Sequence, residues 1–148
     1  MSLKLETAVQ KDLPRLVELL GILFESEAEF SADAEKQRVA LHAILSDPAR
    51  GKIYVAREGR EVVAMCSLLY TISTAEGGKA ALFEDLVVAP DHRKRGIGAS
   101  LLKHVIAEYK HQAQTITCVC GWHGRSSSPD GRTSEWTAHL AAFRTKPR

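Results

Sequence analysis

The chain has 148 residues, 45% of them hydrophobic, and a formal net charge of +2. That length fits one core of ordinary size and is too short for two. The near balance of charge, with basic residues scattered apart from Arg93, Lys94 and Arg95, excludes a dedicated nucleic-acid binder and points to a small anion as partner. No apolar run approaches the roughly 18 to 20 residues needed to cross a bilayer, and no basic segment leads into an apolar one at the N-terminus. No membrane partner and a cytoplasmic location are therefore expected. Cys66, Cys118 and Cys120 are an odd set, which favours reduced thiols over a disulfide framework.

In chain order, Leu3 to Thr7 alternates as a short strand. Asp12 stands as an N-cap before Leu13, Leu16, Val17, Leu20, Leu23 and Phe24, which fall at helical spacing. An acidic connector, Glu25 to Ser31, precedes a second helix capped by Asp33 and stopped by Asp47-Pro48 and Gly51. Lys52 to Glu58 and Glu61 to Ile72, joined at Gly59-Arg60, read as a hairpin. Gly77-Gly78 then turns the chain into an apolar run, Ala80 to Val88, ended by Pro90. From Ile97, the residues Leu101, Leu102, Val105, Ile106 and Tyr109 lie on one helical stripe, and Thr115 to Cys120 has the pattern of a last strand. The order is β-α-α-β-β-β-α-β.

Two glycines, Gly96 and Gly98, sit at the junction between the Ala80 to Val88 strand and the helix beginning at Ile97. A helix N-terminus exposes unpartnered N–H groups and the positive end of the dipole, and glycine lets an anion approach them without meeting a Cβ. The run is not a Walker loop, which needs Gly-Lys followed by Ser or Thr. Nor is it the dinucleotide fingerprint, whose third glycine is replaced here by Leu101. Spacing alone leaves two readings: an anion cradle, or a tight turn with solvated arginines.

Arg93-Lys94-Arg95-Gly96-Ile97-Gly98, after the Val87-Val88-Ala89-Pro90 strand exit and before Leu101-Leu102, resembles the acetyl-CoA signature of the GNAT family of N-acetyltransferases. The resemblance is close over Phe83 to Leu102, and the element order extends it from residue 3 to about residue 120. It implies an α/β fold with a central mixed, mostly antiparallel sheet flanked by helices, with acetyl-CoA as co-substrate, an amine as acceptor, no metal, and room for a homodimer. It further implies that Arg93, Lys94, Arg95, Gly96, Ile97, Gly98 and Ala99 hold the CoA pyrophosphate through backbone N–H groups. By the same likeness Leu86, Val87 and Val88 pair with the pantetheine arm, and a bulge near Val87 supplies an N–H to the thioester oxygen.

An alkylamine, with a pKa of about 10.4, is almost wholly protonated at neutral pH, a barrier on the order of 4 to 5 kcal/mol before attack. A base is needed. Glu84-Asp85 interrupts an apolar strand, where adjacent residues point to opposite faces and buried carboxylates are costly unless solvated or paired. The pair is similar to that of polyamine and glucosamine-phosphate acetyltransferases, which implies Glu84 as general base with Asp85 on the substrate side. The alternative is that Glu84 only bonds a neighbouring strand end or loop. The resemblance places the acidic connector over the acceptor pocket, where Glu25, Glu27 and Glu29 suit a cationic acceptor, although an exposed acidic loop is also an ordinary solvated surface.

The resemblance stops near residue 120. Relatives continue with a helix bearing a tyrosine that protonates the departing thiolate, whereas residues 121–148 contain no tyrosine and shift to Ser, Thr, Arg, Trp and His. The chain is thus read as a domain at 1–120 and an atypical tail at 121–148, which the reading expects to be irregular. A reading-frame shift near residues 112–120 and a divergent, selected tail both account for it. The same lack of a general acid admits a second functional class, a non-catalytic acyl-CoA-binding protein. Cys118, Cys120, His123 and His139 lack the spacing of a structural zinc site, and Cys66 reads as a small core residue rather than a nucleophile.

Overall fold

The computed structural model describes residues 2–25, 32–75, 77–109, 115–118 and 123–125. Nine regular elements appear among them: β1 (Leu3–Thr7), α1 (Leu13–Glu25), α2 (Ala34–Ser46), β2 (Gly51–Glu58), β3 (Glu61–Ser73), β4 (Gly78–Val88), α3 (Ile97–Tyr109), β5 (Thr115–Cys118) and β6 (His123–Arg125). The expected element order holds as far as β5. Residues 119 and 120, assigned to the last strand in sequence, lie outside the described residues, as do residues 126–148 of the tail.

The six strands form one sheet in the order β1-β2-β3-β4-β5-β6. The first four are antiparallel neighbours, β5 runs parallel to β4, and β6 is antiparallel to β5. Strand β6 corrects the expectation of an irregular tail from residue 121. His-Gly-Arg has neither apolar alternation nor a β-branched residue, so no periodicity marks it; its pairing with Thr115 to Thr117 makes it a strand.

The two faces of the sheet carry separate cores. Tyr54, Ala56, Ala64, Cys66, Leu68, Ala81 and Phe83 pack beneath the α3 stripe of Ile97, Leu101, Leu102, Val105, Ile106 and Tyr109. On the other face Ile53, Val55, Met65 and Val87 meet Leu16, Leu19, Leu20 and Leu23 of α1 and Leu41 of α2. Strand β3 is buried from Val62 through Leu68, because both of its faces are covered. Gly51 is held by space: a Cβ there would lie 2.6 Å from the Leu68 carbonyl oxygen.

Helix α2 starts as expected, with the Asp33 carboxylate accepting from the Lys36 N–H at 3.1 Å. Asp12 does something else. It lies in a 3-10 turn ahead of α1, and its carboxylate reaches back to the Val9 N–H at 3.0 Å. Arg57 of β2 donates to its two oxygens at 3.1 and 2.9 Å, and to Glu6 at 2.7 Å. Asp12 is 5% exposed, so this carboxylate anchors the entry to α1 from inside the fold. Burial pushes its pKa up, but the bonds from Arg57 and Val9 outweigh that and hold it below its ordinary value of 3.8.

The pair therefore contributes stability above that ordinary value and loses it as pH falls through the lowered folded value. Arg57→Ala leaves a buried carboxylate without its cation and should cost about 3 to 5 kcal/mol near pH 7. Urea unfolding at neutral and acid pH measures this; the gap between variant and wild type should narrow in acid, where Asp12 is neutral in both.

Candidate functional site

The described ladder between β4 and β5 runs from Ala80↔Thr115 to Phe83↔Cys118 and stops there. Glu84 is the next residue. Between Met65↔Val87 and Ser67↔Glu84 in the β3–β4 ladder, Cys66 alone faces Asp85 and Leu86, so β4 carries a bulge. Asp85 takes the left-handed conformation, φ 57°, that lets the extra residue fit. The strict alternation expected across Glu84-Asp85 therefore fails. Before the bulge Ala81 and Phe83 face α3; after it Leu86 and Val88 do, and Val87 turns to the α1 side. The bulge anticipated near Val87 falls at Asp85–Leu86.

Glu84 follows Phe83 and pairs across the strands with Ser67, so its side chain lies on the face covered by α1 and α2. It is half-buried, and desolvation raises its carboxyl above the ordinary value of 4.5. A carboxyl shifted in this direction is a stronger base once ionised, which suits proton abstraction.

Beyond Val88 the chain makes a short 3-10 turn, Pro90–His92, and enters α3 at Ile97. Lys94 and Gly96 both take positive φ, 62° and 77°, and the Ser100 N–H bonds the Gly96 carbonyl at 3.0 Å to start the helix. The first turn of α3 holds no carboxylate of its own. Ile97 is 4% exposed and anchors the turn in the α3-side core, with Ala99 packed beside it. A Cβ on Gly98 would lie 3.5 Å from the Val88 side chain and 3.9 Å from that of Leu86, so the bare backbone of Gly98 adjoins the exit of β4.

The loop arginines are held by the protein itself. Arg93 donates its Nε–H to the Val88 carbonyl at 3.0 Å, and Arg95 pairs with Glu58 at the end of β2. His92 Nε2 lies 3.4 Å from the same glutamate. The Arg95 hydrogen bond, against some opposing desolvation, keeps Glu58 below the usual carboxylate range. Glu58 was not marked in the sequence, where a glutamate before a Gly-Arg turn is indistinguishable from a surface charge. Ser67 was also missed, although it is the one hydroxyl within the buried run Val62 to Leu68.

Of the acidic connector, Glu25 ends α1 and is exposed, while Glu27 and Glu29 lie outside the described residues. Tyr54 and Tyr109 are fully buried in the α3-side cluster and Tyr70 packs against it, so all three tyrosines belong to the face opposite Glu84. Cys66 is fully buried and its thiol is pushed well up by burial, the state of a core residue. No group of three His, Cys, Asp or Glu among the described residues is placed to hold a metal. The side chains of Cys118, Cys120, His123 and His139 lie outside the description. No helix among the described residues is long and apolar enough to cross a membrane.

The chain is similar to an integron cassette protein from the mobile metagenome of Cole Harbour Salt Marsh, with 28% identity over 78% of this chain and 76% of that one and a TM-score of 0.71. A predicted acetyltransferase with acetyl-CoA from Clostridium acetobutylicum shares the fold at 18% identity, covering 93% of this chain and 88% of its own, with a TM-score of 0.69. So does a glucosamine-6-phosphate N-acetyltransferase from Arabidopsis thaliana, at 19% identity, 94% and 91% coverage and a TM-score of 0.65. The search of curated proteins returned no match. The profile of the acetyltransferase (GNAT) domain matches residues 49–135, more than half of the chain and including β4, the glycine loop and α3. The chain belongs to the GNAT acetyltransferase family, whose members use acetyl-CoA.

Proposed function

We propose that the protein transfers the acetyl group of acetyl-CoA to a primary amine of a small molecule or peptide by direct attack, with Glu84 as general base. The observation that carries this reading is the position of Glu84: a half-buried carboxyl with a raised pKa, one residue past the end of the β4–β5 ladder and beside the bulge. The amine gives its proton to Glu84, its nitrogen bonds the acetyl carbon, the carbon–sulfur bond breaks, and CoA leaves as the thiolate. The stretch Leu86 to Val88 pairs with the pantetheine arm, and an N–H beyond the bulge polarises the thioester oxygen. Arg93 to Ala99 cradle the pyrophosphate through backbone amides. Asp85, Glu25, Glu27 and Glu29 supply the negative charge that a cationic acceptor requires. CoA release measured across a panel of amines tests the activity and names the acceptor class; no release with any amine, despite acetyl-CoA binding, would favour a non-catalytic acyl-CoA-binding role.

Three outcomes follow from the residues. Glu84→Gln should lower turnover near pH 7 by about 10² to 10⁴, and the loss should shrink at high pH where the amine is already free; pH–rate profiles of the two proteins check it. Gly98→Ala adds a Cβ that the fold accepts at ordinary contact distance. Gly98→Val adds two further carbons beside the proposed cradle and should weaken acetyl-CoA binding by about tenfold or more by calorimetry, with the fold intact. The third outcome concerns stability. A carboxyl whose folded pKa is raised costs nothing below its unfolded value, and its penalty grows as pH rises from there through the folded value. Glu84→Gln should therefore stabilise the protein by roughly 1 kcal/mol near pH 7, and thermal unfolding should show the gain vanishing below about pH 4.

A further inference from the structure

Ser67 lies in the middle of β3, directly across the ladder from Glu84 and beside Ile53 of β2. It is 1% exposed, and its Oγ has no hydrogen-bond partner among the described residues. Its surroundings are apolar: Ile53, Met65 and Val87 on the sheet, with the leucines of α1 above. A hydroxyl buried without a partner is unfavourable, so its persistence asks for a partner that is present only in some state of the site. Residues directly opposite in an antiparallel pair have Cβ atoms about 4.5 to 5.5 Å apart on one face, which a glutamate side chain spans.

We propose that Ser67 is a positioning residue for Glu84, donating its hydroxyl hydrogen to the ionised carboxylate across the β3–β4 pair, directly or through one water. The hydroxyl then stabilises the charged form of the base and fixes which oxygen points away toward the acceptor. Being buried, Ser67 does not touch the acceptor. The charged groups of the elements over this face are otherwise engaged. On α1, Arg15 bonds Glu18, Glu61 and the Val62 carbonyl, and Glu25 is exposed at the helix end. On α2, Glu35 pairs with Arg38, Lys36 with the Asp33 cap, and His42 contacts Gln10. Asp85 adjoins Glu84 in the chain. The rise in the Glu84 carboxyl comes from burial alone, with no charged neighbour contributing, which leaves a hydroxyl across the ladder as the group able to oppose it.

The importance of this contact for turnover rests on the reading of Glu84 as base, but its first test does not. Carboxyl carbon NMR of the free protein, with the Glu84 signal assigned by its loss in Glu84→Gln, gives the titration midpoint directly. Ser67→Ala, confirmed folded by thermal unfolding, should raise that midpoint by about one pH unit, and Ser67→Thr, which keeps the hydroxyl, should restore it. The acidic limb of kcat/KM should move by the same amount while KM for acetyl-CoA stays put. An unmoved midpoint in folded Ser67→Ala overturns the proposal, as does a midpoint in Ser67→Thr equal to that of Ser67→Ala. If Glu84→Gln proves fully active while the midpoint still moves, the base assignment falls and the Ser67–Glu84 contact stands.

Discussion

The left-handed turn of Asp85 opposite Cys66 sets the side on which every later residue of β4 serves. Side chains of a strand alternate with a period of two, so one inserted residue exchanges the faces downstream. Without it Val87 would join Phe83 under α3, and Leu86 and Val88 would face α1. With it, Val87 fills the α1-side core while Leu86 and Val88 stay beside Gly98 and the start of α3. A non-glycine residue in this conformation costs on the order of 1 kcal/mol, and Asp is among the side chains that tolerate it best. Burial of Val87, 4% exposed, offsets the strain with roughly 1.5 kcal/mol or more. Bulges also sharpen local twist, and the β4–β5 ladder ends just before this one. Strand divergence, the exposed end of β4 and the placement of Glu84 are thus consequences of one local backbone choice.

The glycine loop is governed by a different balance. Its three basic side chains suggest a strongly cationic cradle, yet Glu58 neutralises Arg95 and the Val88 carbonyl engages Arg93. These contacts fix the path of the loop from β4 into α3 before any ligand arrives, so less conformational freedom is lost on binding. They also reduce the net field at the helix start. In the proposed reading, pyrophosphate is then held mainly by backbone amides and the helix dipole, while the side chains set the shape of the cradle.

Much of this architecture was legible because it rests on long periodic segments. The stripes Leu16 to Leu23 and Leu101 to Tyr109 could only be amphipathic helices, and Gly59, Gly77 and Gly96 take the positive φ that their turn positions require. What escaped depends on contacts distant in sequence. Asp12 has the position of an N-cap, but a partner from β2, Arg57, draws it inward. The bulge carries no glycine to announce it, so counting alternate residues across Glu84-Asp85 gave the wrong relation between them. Strand β6 has no pattern of its own and exists through β5. Glu58 and Ser67 look like surface and filler until the ladder sets them beside Arg95 and Glu84.

The position of the tyrosines bears on how the proposed reaction balances its protons. Tyr54, Tyr70 and Tyr109 all belong to the α3 side of the sheet, and burial together with Glu108 makes the Tyr54 hydroxyl still harder to ionise. No phenol is thus described on the Glu84 side to protonate the departing thiolate. A thiol with a pKa of about 8.5 that leaves ionised at pH 7 forfeits only about 2 kcal/mol, whereas an alkylammonium must lose its proton against about 4 to 5 kcal/mol. The base therefore carries the larger share of the proton problem, and a site without a tyrosine acid retains the more valuable half. Glu84 is half-buried for that reason: a carboxylate fully in water would be too weak a base, and one fully enclosed would not ionise. A hydroxyl across the ladder at Ser67 lets the strand bear the charge without opening the core to solvent.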